Sequence, residues 1–250
     1  MSSYYNGQRK YNLFNPQSKE PFKLSRTKID LFLKCPFCFY LDCRLGVSQP
    51  PGYPFSLNSA VDRLLKKEFD YYREKQTPHP LMQKNKIKAV PFFHEKLSEW
   101  QDSLRSGIQY LHPLTNFLIR GGVDDIWINS DQELLIVDYK ATAKNSQVDI
   151  DQDWQISYNR QMEIYQWLFR QNGFKVNETG YFVYCNGITD KDFFNQKLEF
   201  DISVIPYKGS DDWVEKTIIK AKECLMSNNV PEASPECDFC LYRKSVNKVI

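Results

Sequence analysis

The chain has 250 residues, 42% of them apolar, and its 33 Lys plus Arg against 31 Asp plus Glu leave a formal net charge of +2. That length and apolar content can bury a real core and suit one globular unit, with or without an added lobe. The near-balanced charge excludes a uniformly basic nucleic-acid binder while leaving room for a local basic stripe, and no apolar run is long enough for a signal peptide or a membrane span, so the expectation is a cytoplasmic protein without membrane partners.

Residues 1–23 are polar and aperiodic and read as a flexible N-terminal arm; residues 24–250 read as a single domain. Within it, 24–112 is expected to be a helical lobe, 113–210 the core, and 211–250 a last helix with a cysteine segment. Ser25 ahead of Ile29, Leu31, Phe32 and Leu33 marks a short helix that runs into Cys35-Pro36. From Ser56 to Arg73, Leu57, Ala60, Val61, Leu64, Leu65 and Phe69 recur at helical steps, and a further helix is expected over His94–Tyr110.

The period then changes. Asn116–Gly122, Val123–Asn129 and Leu134–Tyr139 are short, rich in Ile, Val and Leu, and separated by Gly-Gly or Asn-Ser-Asp-Gln, which predicts three successive strands. Tyr158–Gln171 returns to helical spacing and stops at Asn172-Gly173. Tyr181–Tyr184 and Lys197–Val204 are strand candidates. Asp212–Ser227 is the last expected helix, before a Pro-rich tail with Cys237 and Cys240. This order predicts an α/β fold around a mixed sheet.

The chemistry concentrates in IRGGVDDIWINSDQELLIVDYKAT. Asp124 opens one strand and Asp138 falls near the end of the next, so a hairpin brings both carboxylates to one sheet edge. Strand alternation sets Asp138 and Lys140 on the same face and turns Asp125 away from Asp124, in a supporting position. Two carboxylates with a neighbouring ammonium suit phosphodiester hydrolysis: hard oxygens hold Mg²⁺ or Mn²⁺, the Tyr139 carbonyl being a natural further ligand, and the cation beside them offsets charge building on phosphorus. D-x-K on a strand is also an ordinary surface ion pair, but LLIVD has the character of a buried strand, and charged ends of core strands are where α/β sheets carry ligands.

These residues resemble the PD-(D/E)XK nuclease superfamily, in particular its RecB-like branch, including CRISPR-associated and AddB-type nuclease domains with a cysteine cluster. Gly121–Asp124 matches the G-x-x-D strand start, Asp138-Tyr139-Lys140-Ala141-Thr142 the D-Y-K strand end, and Gln161 with Tyr165 the Q-x-x-x-Y of the following helix. LSRTKIDLFLKCPFCFYLD and CDFCLY match the opening and closing cysteine segments. The resemblance implies a restriction-endonuclease-like core within a nuclease domain over 24–250, Asp124 and Asp138 as metal ligands, Lys140 as the catalytic lysine, and Gln161 and Tyr165 steadying the site or touching DNA. Tyr165 also fits a plain core position. Many members place a metal-binding His on an early helix; here that position is Asp62, which suits Mg²⁺ equally or stands as a solvated helix residue.

Cys35-Pro-Phe-Cys38 and Cys237-Asp-Phe-Cys240 together suggest a four-thiolate site in a reducing compartment. Relatives with a 4Fe-4S cluster use one early and three late cysteines. The last late position falls near Val246 here, and Cys38 is the available replacement. A 4Fe-4S cluster and a structural Zn²⁺ are both open on this pattern, as are metal-free thiols.

The three histidines share no ligand spacing and no P-loop is present, so a helicase or a repair or CRISPR partner would be a separate chain. Tyr71, Tyr72, Trp100, Trp127, Trp154 and Trp167 are candidates for stacking on single-stranded DNA, or simply for core positions. The function expected is metal-dependent cleavage of DNA, at single strands or ends, in repair, recombination or foreign-DNA processing. The alternative is a subunit that keeps the fold and binds nucleic acid without cutting it.

Overall fold

The computed structural model describes residues 7–52, 56–143 and 156–250. In chain order the elements are β1 (Phe22–Ser25), α1 (Arg26–Lys34), α2 (Pro36–Leu45), α3 (Ser56–Lys75), α4 (Pro80–Lys84), β2 (Ala89–Pro91), α5 (Leu97–Gln101), β3 (Ile108–His112), β4 (Phe117–Gly121), β5 (Asp125–Asn129), β6 (Leu134–Thr142), α6 (Ile156–Gln171), β7 (Thr179–Gly187), β8 (Phe200–Lys208), α7 (Asp212–Met226) and α8 (Asp238–Val249). The chain divides into two compact units: Met1–Tyr53 with Gln109–Arg120 and Asp212–Ile250, and Pro54–Ile108 with Gly121–Asp211.

The first unit contains a three-stranded sheet in the order β1-β4-β3, with β1 parallel to β4 and Phe22 opposite Phe117. Phe14, Phe22 and Phe117 meet edge-on, with centroids 5.5–5.9 Å apart, which buries three rings at little polar cost. In the stretch read as an arm, Phe14 is buried and its N–H donates to the Cys43 carbonyl at 2.7 Å. Pro36 opens α2 at a position where its missing N–H costs nothing, and Gly46 closes it at φ +79.

The second unit is built on a five-stranded mixed sheet, β2-β5-β6-β7-β8, in which β6 and β7 run parallel and every other pair antiparallel. β6 reads LLIVDYKAT and is buried through its first six residues, as a central strand demands. Its Leu135, Val137 and Tyr139 pack with Leu65 and Phe69 of α3. Phe69 is fully buried and stacks on Trp127 at 5.5 Å and on His79 at 4.1 Å. Met162, Ile164, Tyr165, Leu168 and Phe169 form the buried stripe of α6, and Gly173 at φ +85 follows its end. Among the described residues, no helix is long and apolar enough to cross a membrane.

Three readings of the sequence need correction. The helix expected over His94–Tyr110 is only the five residues of α5: Asp102 accepts from the N–H groups of Leu104 and Arg105, turning the chain, and Gly107 takes φ +71 before β3 begins. The strand expected at Lys197–Val204 starts at Phe200, because Asn195 and Gln196 adopt φ of 46° and 57° in a tight turn. The Pro-rich tail carries a twelve-residue helix, α8, capped by Cys237. The whole is a mixed α/β architecture of sheets flanked by helices, with a restriction-endonuclease-like core, as expected.

Candidate active site

The β5–β6 hairpin decides where the carboxylates go. Asp125 pairs with Val137, so the ladder ends at that point and Asp124 lies one residue outside it. The next N–H of β6 on that edge, that of Tyr139, is left without a strand partner and instead donates to Asp124 Oδ2 at 2.8 Å. Within a strand the N–H and C=O of one residue point to the same side, so the Tyr139 carbonyl faces the edge that Asp124 occupies.

Asp138 is fully buried. Its Oδ1 accepts from Gln161 Nε2 at 2.7 Å, and its Oδ2 lies against the Lys140 ammonium. Gln161 also accepts from Lys140 Nζ through Oε1 at 3.3 Å and donates to the Tyr165 hydroxyl at 3.1 Å. One amide thus ties carboxylate, ammonium and phenol together. Tyr165 is 3% exposed and belongs to both the core stripe and this network. Its ring reaches the site because position 121 is glycine: a Cβ there would stand 2.6 Å from Tyr165 Cε1.

The electrostatics follow from burial. Desolvation, with repulsion from Asp138, pushes the Asp124 carboxyl up to about 6, against the pull of Lys140, Lys66 and the Tyr139 N–H. Burial alone would lower the pKa of Lys140, but Asp138 and Asp124 outweigh it and hold the ammonium above the ordinary lysine value. The lysine is therefore a cation at neutral pH. Asp62, on α3, is raised by burial and by Asp124, and pairs with Lys66 Nζ at 3.0 Å, which in turn stands 3.9 Å from Asp124 Oδ1. The structure thus brings Asp62, Asp124, Asp138, Tyr139, Lys140, Gln161 and Tyr165 to one region.

Three participants escaped the sequence reading. Lys66 follows Asp62 by one helical turn and links it to Asp124. Tyr158 places its ring 4.4 Å from Lys140 Nζ; its spacing to Gln161 and Tyr165 is three and seven residues, one helical face, and that was the signal available. Arg73 donates to Asp125 Oδ1 at 2.5 Å, while Asp125 Oδ2 accepts from the Tyr139 hydroxyl at 2.8 Å and from Trp127 Nε1 at 3.3 Å. Asp125 therefore works on the opposite face, fixing the ring of the residue between Asp138 and Lys140.

The donor set fits a hard divalent cation. Every candidate ligand is an oxygen, and the carboxylates of Asp124 and Asp138 stand close enough to repel one another, a repulsion that a divalent cation would offset. The cysteines lie elsewhere: Cys35, Cys38, Cys237 and Cys240 of the first unit bring their sulfurs within 4.8 Å of one another, whereas Cys43, Cys185 and Cys224 stand outside that group. Of the aromatic residues considered for stacking, Trp100, Trp127 and Trp167 are buried, Tyr71 is exposed, and Trp154 lies outside the described residues.

Comparison with known proteins gives a family and likenesses to solved structures. A profile of the PD-(D/E)XK nuclease superfamily matches residues 56–245, more than half of the chain. No curated protein matches it. A crystal structure of SSO0001 is similar at 18% identity, covering 91% of this chain and 87% of that one with a TM-score of 0.42.

Proposed function

The chain belongs to the PD-(D/E)XK nuclease superfamily, and on that premise we propose that it is an active Mg²⁺- or Mn²⁺-dependent deoxyribonuclease of the RecB-like branch, cutting DNA phosphodiester bonds at single strands or ends. The observation that carries the reading is the Asp124–Asp138–Lys140 group, with Gln161 bonded at once to Asp138 and Lys140. A surface ion pair needs no such bracing. Asp124 and Asp138 would hold the metal, joined by the Tyr139 carbonyl and by Asp62. When bound, the metal supplies a nucleophilic hydroxide at neutral pH and offsets charge on the phosphate.

The remaining work falls to the protein's own groups. Lys140, kept charged by its two carboxylate neighbours, places a positive charge beside the phosphate where the transition state grows more negative. Gln161 fixes the rotamers of Asp138 and Lys140, and Tyr165 fixes Gln161 in turn. Tyr158 covers the ammonium with its ring face, which limits its hydration while leaving its charge intact. Repair, recombination or processing of foreign DNA, with a helicase as a separate partner, fits such a nuclease.

The test is cleavage of end-labelled single- and double-stranded DNA with Mg²⁺, with Mn²⁺ and with EDTA. Asp138→Ala and Lys140→Ala should each lower kcat by about 10²–10³-fold or more. Cleavage that survives either substitution, or that ignores EDTA, overturns the assignment. Tight DNA binding with no cleavage under any metal would point instead to a non-cleaving assembly subunit.

A further inference from the structure

The two C-x-x-C segments are built alike. Cys35 is the N-cap of α2 with Cys38 in its first turn, and Cys237 is the N-cap of α8 with Cys240 in its first turn. Both helix starts thus bring two sulfurs each to one point. Cys35, Cys38 and Cys240 are buried, and Ser234 N–H donates to Cys35 Sγ at 3.5 Å.

The spacing of the sulfurs discriminates between occupants. Cys35 and Cys240 Sγ are 3.8 Å apart, Cys38 and Cys237 are 3.7 Å apart, Cys38 and Cys240 are 3.5 Å apart, and no two of the four exceed 4.8 Å. A single tetrahedral ion with metal–sulfur bonds of about 2.3 Å requires sulfurs about 3.8 Å apart. A 4Fe-4S cluster binds each thiolate to a different iron at the corner of a cube, with the irons and sulfides between them, so its cysteine sulfurs stand much farther apart. A disulfide would need about 2.05 Å, and none of these pairs is joined.

We propose that Cys35, Cys38, Cys237 and Cys240 form a structural site for a single zinc ion rather than the iron–sulfur cluster that the family resemblance left open. The site needs no open coordination position: four thiolates complete a tetrahedral shell, and the ion staples the start of α2 to the start of α8. It stands apart from the cleavage chemistry and does not depend on that reading.

The full-length protein, purified without oxygen or chelators from cells supplied with both iron and zinc, should be colourless and carry one zinc per chain with no acid-labile sulfide. Replacing the metal with Co²⁺ should give the intense visible absorption of a tetrahedral tetrathiolate. Cys38→Ser and Cys240→Ser should each weaken metal retention by roughly tenfold or more, and the cobalt spectrum of the unaltered protein serves if those variants fail to fold. A brown preparation holding iron and sulfide overturns the proposal, as does a metal-free protein with its four thiols oxidised or freely titratable.

Discussion

Asp124 is the residue on which acid–base behaviour turns. Its carboxyl titrates at about 6 in the folded chain against an ordinary 3.8. Below about pH 4 it is protonated both folded and unfolded and contributes nothing; as pH rises from 4 to 6 the unfolded carboxyl ionises first, so the metal-free fold loses stability, and above 6 the whole cost is present. Asp124→Asn in EDTA should therefore gain stability over the parent as pH rises from 4.5 to 7, read as a growing difference in urea midpoint. A difference that is constant or shrinks would show that Asp124 is not held in this repulsive setting. Its position was legible in the sequence, since D…D-x-K followed by Q-x-x-x-Y gives type and order. Its pKa was not, because that depends on how deeply the hairpin edge is buried and on Lys66, which comes from a different element, α3.

Among the elements, α3 and the β5–β6 hairpin are pinned by a buried ion pair, with Arg73 5% and Asp125 0% exposed in their side chains. Asp125→Ala leaves the buried guanidinium with the half-exposed Asp70 and the Phe92 and Ile126 carbonyls as its partners and should cost about 3–5 kcal/mol in urea unfolding. Adding Arg73→Met should recover much of that loss, since a matched apolar replacement removes the charge that lost its buried partner. A double variant no more stable than Asp125→Ala alone would argue against the pair. The long periodic elements, α3, α6 and α7, were readable because packing and period agree. The others failed for local reasons. α2 hid because Pro36, taken as the stop of α1, is equally a favoured start. α8 hid because Phe239, Leu241 and Tyr242 are exposed, so no clean buried stripe marks it. β1 is only four residues long, and its partner in the sheet is almost a hundred residues away.

For the whole molecule, each of the two units has its own sheet, and neither could be drawn from the linear order of elements. The first is assembled from three separated pieces of chain, and nothing in a local pattern says that β4 pairs with β1 instead of continuing the sheet that holds β5. Chelating the zinc proposed at the four cysteines should release amide-exchange protection in α2 and α8 while leaving β5, β6 and β7 protected. Equal loss in the sheet would mean that the cysteine site supports far more than its own surroundings.

The sulfur cluster also sets a schedule. Cys38 and Cys240 are separated by 202 positions, so at a synthesis rate of about 5–20 residues per second the leading thiols wait roughly 10–40 s for the trailing pair to be made. The segment from Pro54 to Asp211 lies wholly between them and is made during that wait. A half-built cysteine site is thus a normal stage in the birth of every copy, and the two early thiols meet the cell's oxidants and stray metals before their partners exist.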